Sequence, residues 1–264
     1  MHDWLVVLIL GVIEGITEFL PVSSTGHLLI AEKILHSHQS DLFNIVIQCG
    51  AVVAVLPLFP KRISKFLFEW REWETQLYLL KILVAFGITG AGGLVIDHFN
   101  FKLPEELAPV AWALLIGGLA FLAVEFYLRK KPLGNQITWA IVFAVGIGQL
   151  VAAVFPGTSR SGTTILFSLI LGLSRPAATE FSFLVGIPTM LAAGGWKIFK
   201  VAHHPVAGAM PENWNRLLFA SVVAAIISFI AVKWLLRYVQ THTFNAFGWY
   251  RIAAAIIIFL FFLK

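Results

Sequence analysis

Two apolar stretches, residues 4–36 and 137–173, are each cut near the middle by proline and then by a run of polar residues. The first break is Leu20-Pro21-Val22-Ser23-Ser24-Thr25-Gly26-His27, preceded by Glu14 and Glu18. The second is Phe155-Pro156-Gly157-Thr158-Ser159-Arg160-Ser161-Gly162-Thr163-Thr164. Neither half of either stretch reaches the roughly 20 residues that a helix needs to cross a bilayer. Proline removes a backbone donor and clashes with the preceding turn, so each helix must stop there. Irregular backbone at membrane depth is tolerated only where it faces protein or a water-filled cavity. The pattern therefore predicts two re-entrant helical hairpins whose broken tips line one site. Carboxylates and a guanidinium at that depth are costly enough to mark function, and helix N-termini suit an anion.

The rest of the chain fits such a setting. Hydrophobic residues make up 59% and charged residues 12% of the 264, and the mean hydropathy is +0.86; a soluble domain carries about 25% charged residues. Long apolar runs cover 42–60, 78–98, 107–128, 177–199, 216–237 and 250–263. Each is long enough, or nearly so, to span. The expectation is an all-α polytopic membrane protein with about six transmembrane helices, in a single domain over 1–264. The net charge of +5 does not imply nucleic acid, because Lys and Arg sit in short loops beside apolar runs, where they set orientation. Residues 1–13 lack the basic start and cleavage site of a signal peptide and run on into Glu14, so they belong to the fold. The lone Cys49 lies in an apolar run and suits packing. The nine Trp and 23 Phe supply interfacial belts and lipid-facing bulk.

The two interrupted stretches align weakly at a shift of 135, pairing Gly11 with Gly146, Glu14 with Gln149, Pro21 with Pro156 and Ser24 with Ser159. This predicts an inverted-topology repeat, repeat one over about 1–131 and repeat two over about 132–264. A hairpin that enters and leaves on one side adds no crossing. Three spans then precede the second hairpin, and an odd number turns it over, so the tips approach from opposite faces. Loop charge sets the sidedness. The segment 61–71, Arg129-Lys130-Lys131 and Lys233 with Arg237 share one face, which should be cytoplasmic. Lys102, Lys197, Lys200 and Arg216 spread thinly over the other, where the first hairpin opens.

Glu14 and Glu18 are four residues apart and stack on one helix face. Two like charges there require a cation or a shared proton; a divalent metal held with substrate phosphate oxygens is the usual arrangement for Mg²⁺. Ser23 and Ser24 follow the proline, where either could simply cap the next helix. His27 lies three residues beyond Ser24, and a Ser beside a His is the minimum for an activated nucleophile or a proton shuttle. A lone membrane histidine would be only a satisfied polar group. The planar fork of Arg160 matches phosphate oxygens, with backbone N–H groups at Thr158–Gly162 as further donors. Ser23, Thr25, Ser159, Ser161 and Thr164 complete the candidate phosphate-binding set. Arg175 beside Pro176 reads as an interfacial anchor, and Lys81, Asp97, Glu125 and Glu180 as solvated or paired groups near span ends.

Glu14-Gly15-x-Thr17-Glu18-Phe-Leu-Pro-Val-Ser-Ser-Thr-Gly-His27 and Pro156-Gly157-x-Ser159-Arg160-Ser161-Gly162 resemble the two signature motifs of the undecaprenyl-diphosphatase, or bacitracin-resistance, family. Length and hydropathy agree over the whole chain. The resemblance implies a bacterial inner-membrane enzyme that removes the terminal phosphate of undecaprenyl diphosphate, regenerating the lipid carrier of peptidoglycan synthesis and conferring bacitracin resistance. It further implies a divalent metal, Mg²⁺ or Ca²⁺, at Glu14 and Glu18, with Glu18 also in the catalytic set. Ser24 would be the nucleophile, His27 would transfer protons, and Arg160 would hold the phosphates. Thr158 stands where many members carry an aromatic residue. The partners implied are a polyprenyl diphosphate, membrane lipids and no nucleic acid; a homodimer is compatible, and the active site would face the periplasm. An acid-phosphatase-like lipid phosphatase is disfavoured, since Arg175-Pro176 has Ser168 where that pattern needs Lys, and the aspartates are Asp3, Asp41 and Asp97 alone. A polyprenyl-phosphate flippase or transporter is the rival reading, because broken helices in inverted repeats are a transporter architecture.

Overall fold

The computed structural model describes residues 3–99, 106–203 and 213–263; Lys102 lies outside them. The described residues are helical almost throughout. The first hairpin is α1 (Asp3–Thr17) and α2 (Ser24–Leu35), with the break falling where Pro21 required it. The helix α3 (Asp41–Val55) begins at the Ser40 cap, whose Oγ accepts from Phe43 N at 2.9 Å, and tightens into a 3₁₀ turn, Leu56–Leu58, before Pro60. Instead of a basic loop, the structure then has the short helix α4 (Pro60–Phe68), which carries Lys61, Arg62 and Lys65. Two long helices follow, α5 (Trp73–His98) and α6 (Leu107–Leu128). The second hairpin is α7 (Trp139–Val154) and α8 (Arg160–Ile170), and α9 (Arg175–His203), α10 (Trp214–Thr241) and α11 (Asn245–Phe261) complete the chain.

Five segments, 41–58, 73–98, 107–128, 175–201 and 214–241, are long and apolar enough to cross a membrane. The sixth expected span, α11, has 17 residues, about 26 Å at 1.5 Å per residue. Polar contacts at the helix ends show that it too runs from face to face. Arg216–Asp3 (2.7 Å), Lys197–Asp41 (2.8 Å), Lys200–Asp97 (2.9 Å) and Lys33 Nζ donating to Phe262 O (3.1 Å) gather one set of ends on one face. Arg62–Glu180 (2.5 Å), Arg175–Glu125 and Lys81 Nζ donating to Ile137 O (2.6 Å) gather the opposite ends on the other. The mouths of the two hairpins thus lie on opposite faces. Glu180, Asp97 and Lys81 are paired, as expected. Arg175 is not a free interfacial anchor: it pairs with Glu125, which is buried and also accepts from Phe244 N at 2.8 Å.

Small residues let the helices approach closely, the usual device where lipid offers no hydrophobic drive. A Cβ on Gly11 or Gly15 of α1 would sit 2.7 Å from Ala220 O or Ala224 O of α10. One on Gly50 of α3 would meet Ser221 O at the same distance, so α10 is wedged between α1 and α3. Likewise Gly146 of α7 abuts Ile88 of α5 (2.9 Å), and α6 and α11 touch backbone to backbone at Gly118 and Gly248. The two hairpins therefore find equivalent partners. Each packs its first helix against the second span of the other half of the chain, α1 against α10 and α7 against α5.

Candidate active site at the two helix breaks

Each break ends in a serine held in the left-handed region, Ser23 at φ 74° and Ser159 at φ 68°. A non-glycine residue there costs on the order of 1–3 kcal/mol and persists only where the surroundings impose it, commonly at functional sites. Both serines are N-caps. Ser23 Oγ accepts from Gly26 N at 3.4 Å, and Ser159 Oγ accepts from Gly162 N at 3.2 Å. The caps are offset by one residue relative to the prolines, so Ser23 corresponds to Ser159, and Ser24 to Arg160 rather than to Ser159. The extra residue at the second break, Gly157 at φ 90°, packs its Cα against Val110, where a Cβ would lie 2.8 Å from backbone.

Glu18, 6% exposed, is the hub of the site. It accepts from Ser24 Oγ at 2.6 Å, from Gln48 Nε2 at 3.1 Å and from Arg160 Nη2 at 3.3 Å. The last contact joins the two breaks. Arg160 lies against the backbone of α9 at Gly186, where a Cβ would be 2.7 Å from the guanidinium carbon, and its buried Nη1 has no partner. Glu14, 1% exposed, also keeps a buried carboxylate oxygen without a partner. Unless Glu14 and Glu18 share a proton, two carboxylates beside one guanidinium leave a negative charge uncompensated, and the groups there able to ligate a cation are carboxylate and hydroxyl oxygens. That set suits a hard divalent cation of the Mg²⁺ or Ca²⁺ type. Among the described residues no three His, Cys, Asp or Glu side chains cluster as a complete metal site, so such an ion would depend on substrate oxygens as well.

His27 departs from the expected arrangement. Its Nδ1 donates to Ser23 O at 2.7 Å, since a carbonyl can only accept. Its Nε2 is 2.7 Å from the Tyr250 hydroxyl, and the two rings stack at 5.6 Å. The hydroxyl of Ser24 turns instead to Glu18. Spacing along the turn put His27 within reach of Ser24, but the imidazole folds back onto the cap.

The hub forms the floor of a cavity of about 1010 Å³ between α3, α5, α7 and α9. Glu18, Ser23, Ser24, Thr25, Ser159 and Arg160 line it. Ser161 and Thr164 do not: Ser161 Oγ donates to Leu20 O at 3.2 Å, and Thr164 Oγ1 bonds Arg160 O at 2.8 Å and the Ser182 hydroxyl. These two hydroxyls lock the second break instead of facing a ligand.

Arg251 was absent from the sequence reading. Wholly buried in α11, it pairs with no carboxylate among the described residues and donates to Pro21 O (3.2 Å), Gly157 O (3.3 Å), Ala113 O (3.0 Å) and Leu114 O (3.4 Å). One guanidinium thus fixes both breaks to α6. The signal was available, since a charge inside an apolar run is what singled out Arg160. Gln48, Gln149 and Gly186 carried no such signal.

A buried carboxylate holding a serine hydroxyl, next to a guanidinium with an unused donor, can accept a proton and neutralise an oxyanion within one contact network. Relatives match this chain over nearly its whole length. A chain from Rhizobium etli (strain CFN 42) named undecaprenyl-diphosphatase is 51% identical over 97% of this chain and 96% of its own. One of the same name from Xylella fastidiosa (strain 9a5c) is 46% identical over 98% of each. The family model described as bacitracin resistance protein BacA matches residues 7–257, and with nearly the whole chain covered at such identities, the protein belongs to that family.

Proposed function

We propose that the cavity floor is where a lipid diphosphate loses its terminal phosphate, with Glu18, Ser24 and Arg160 in contact with the reacting group. The chain is an undecaprenyl-diphosphatase: it hydrolyses undecaprenyl diphosphate to undecaprenyl phosphate and phosphate, recycling the carrier of peptidoglycan synthesis. The single observation that carries the site assignment is the Glu18 hub, which joins the Ser24 hydroxyl to Arg160 across the two breaks.

In this reading Ser24 Oγ attacks the terminal phosphorus as its proton passes to Glu18 Oε2. The anhydride P–O bond breaks, and the lipid monophosphate leaves as an anion that needs no further proton. Water then hydrolyses the phosphoserine, and Glu18 returns the proton to Ser24. Water attacking directly, with Glu18 as its base, uses the same contacts. Arg160, which lines the cavity beside Glu18, holds the transferred phosphoryl oxygens, while Glu18 holds one side of its fork. The N–H groups at the start of α2 and α8 have no acceptor within their helices and add to the oxyanion field. His27 is assigned a positioning role, holding the Ser23 carbonyl and hence the cap that presents Ser24. Glu14 and Glu18 would hold a divalent cation, whose chemistry is to neutralise phosphate charge.

We further propose that the fold is one domain of two inverted repeats, about 1–131 and 132–264, supported by the matched serine caps and the opposed hairpin mouths. The cavity opens beside Asp97, Lys197 and Lys200, away from the more basic loops, so the site faces the periplasm from the inner membrane.

Purified protein in detergent should release phosphate from a polyprenyl diphosphate and lose that activity reversibly with chelator. No release would leave a carrier-flipping role, and release unaffected by chelator would remove the metal. For orientation, a single cysteine at Glu106 in a Cys49→Ala background should react with a membrane-impermeant thiol reagent in intact cells, whereas one at Lys130 should not. The reverse pattern would turn the protein over.

A further inference from the structure

The two breaks hold the same carbonyl by different means. Counted from the matched caps, Ser23 and Ser159, His27 of the first break corresponds to Thr163 of the second, with Gly26 and Gly162 aligned just before them. At the second break the Ser159 carbonyl is satisfied within its own turn, accepting from Thr163 N at 2.9 Å and from Thr163 Oγ1 at 3.0 Å. At the first break the equivalent backbone bond, His27 N to Ser23 O, is slack at 3.4 Å, and the short contact is the one from the imidazole, Nδ1 to Ser23 O at 2.7 Å. A threonine hydroxyl needs nothing outside its own helix to do this. An imidazole has a second ring nitrogen to place.

That nitrogen is placed by α11. With the Nδ1 proton engaged by a carbonyl, Nε2 of the neutral ring is an acceptor, and the Tyr250 hydroxyl at 2.7 Å is its donor. The two rings lie within 9° of parallel, so the tyrosine sets both the orientation and the tautomer of the imidazole. The next residue along, Arg251, donates to Pro21 O at 3.2 Å. Neighbouring residues of a helix point about 100° apart, and here one is half exposed and the other wholly buried. Helix α11 thus grips the first break from two sides, directly at Pro21 O and through His27 at Ser23 O. What it holds there is the left-handed backbone of Ser23 at φ 74°, and the next residue, Ser24, carries the hydroxyl that Glu18 accepts.

We infer that Tyr250 is a positioning residue for the reaction: through His27 it fixes the Ser23 carbonyl and so aims Ser24 at Glu18, a role that rests on those two side chains meeting the transferred phosphate. His27 and Tyr250 together do at the first break what Thr163 does alone at the second.

Tyr250→Phe keeps the stacked ring and removes only the hydroxyl, at a half-exposed position, so the variant should remain monodisperse in detergent. Its kcat for a polyprenyl diphosphate should fall about five- to tenfold, the worth of one neutral hydrogen bond, with KM within about twofold of wild type because Arg160 is untouched. His27→Thr copies the second break. It should keep kcat within about tenfold of wild type, where His27→Ala loses about a hundredfold, and Tyr250→Phe should have no further effect in that background. Equal losses from Tyr250→Phe in the wild-type and His27→Thr backgrounds would reduce the tyrosine to packing and overturn the inference. So would an unchanged kcat in Tyr250→Phe, or a His27→Thr enzyme as slow as His27→Ala, which would make the imidazole a proton carrier.

Amide hydrogen exchange, measured without substrate, separates the tie to the cap from the reaction assigned to the cavity floor. In Tyr250→Phe the peptide covering 21–27 should exchange about fivefold faster, and the peptide covering 157–163 at the wild-type rate. Unchanged exchange over 21–27 would remove the tie even in an enzyme whose chemistry runs through Ser24, and faster exchange there would uphold it even if the nucleophile lay elsewhere.

Discussion

Glu18→Gln is expected to lower kcat/KM for a polyprenyl diphosphate by about 10³- to 10⁴-fold, at the upper end of what a single acid–base group supplies. The variant keeps the shape of the hub but loses the acceptor strength that the Ser24 proton needs. It also removes the carboxylate that Arg160 contacts, at a site where that side chain is largely buried. A companion variant reaches the same network from the other side. At Gly186 a methyl group would occupy the place of the Arg160 guanidinium, so Gly186→Ala should cut turnover by at least tenfold with little change in thermal stability. If Glu18→Gln stays within tenfold of wild type, the proton of Ser24 goes elsewhere and the carboxylate is structural.

Arg251→Met should act on the fold first. It removes the one donor group shared by Pro21, Gly157, Ala113 and Leu114, and leaves carbonyls buried at both breaks without partners. At about 1–3 kcal/mol for each unsatisfied buried group, partly relieved by relaxation, a loss of roughly 3–5 kcal/mol is expected. The temperature at which half the purified protein ceases to be monodisperse in detergent should fall sharply, and turnover should fall with it. Arg251→Lys, a compact ammonium with the same charge, reaches fewer of the four carbonyls and should lie between the two. A Met variant that unfolds at the wild-type temperature would show that the breaks are held by their caps and by α6 packing alone.

The sequence alone determined where helices must stop and where a bilayer can be crossed. Both are local properties: Pro21 and Pro156 end their helices wherever they are placed in space, and hydropathy summed over a window needs no partner. For the same reason Glu18 and Arg160 could be singled out one at a time, because the cost of a charge in an apolar segment is independent of its neighbours in the fold. Only the tertiary structure decided what those residues touch. Ser24 and His27 are three residues apart, yet the hydroxyl turns to Glu18, just past the end of α1, and the imidazole to Tyr250, 223 positions away. Ser161 and Thr164 share a motif with Arg160 but spend their hydroxyls on backbone and on Ser182. Arg175 finds Glu125, and Arg251 finds carbonyls from three separate segments. These pairings depend on which helices lie side by side, and that follows from close approaches at Gly11, Gly50, Gly118 and Gly186, where the absent side chain leaves no trace in hydropathy or periodicity.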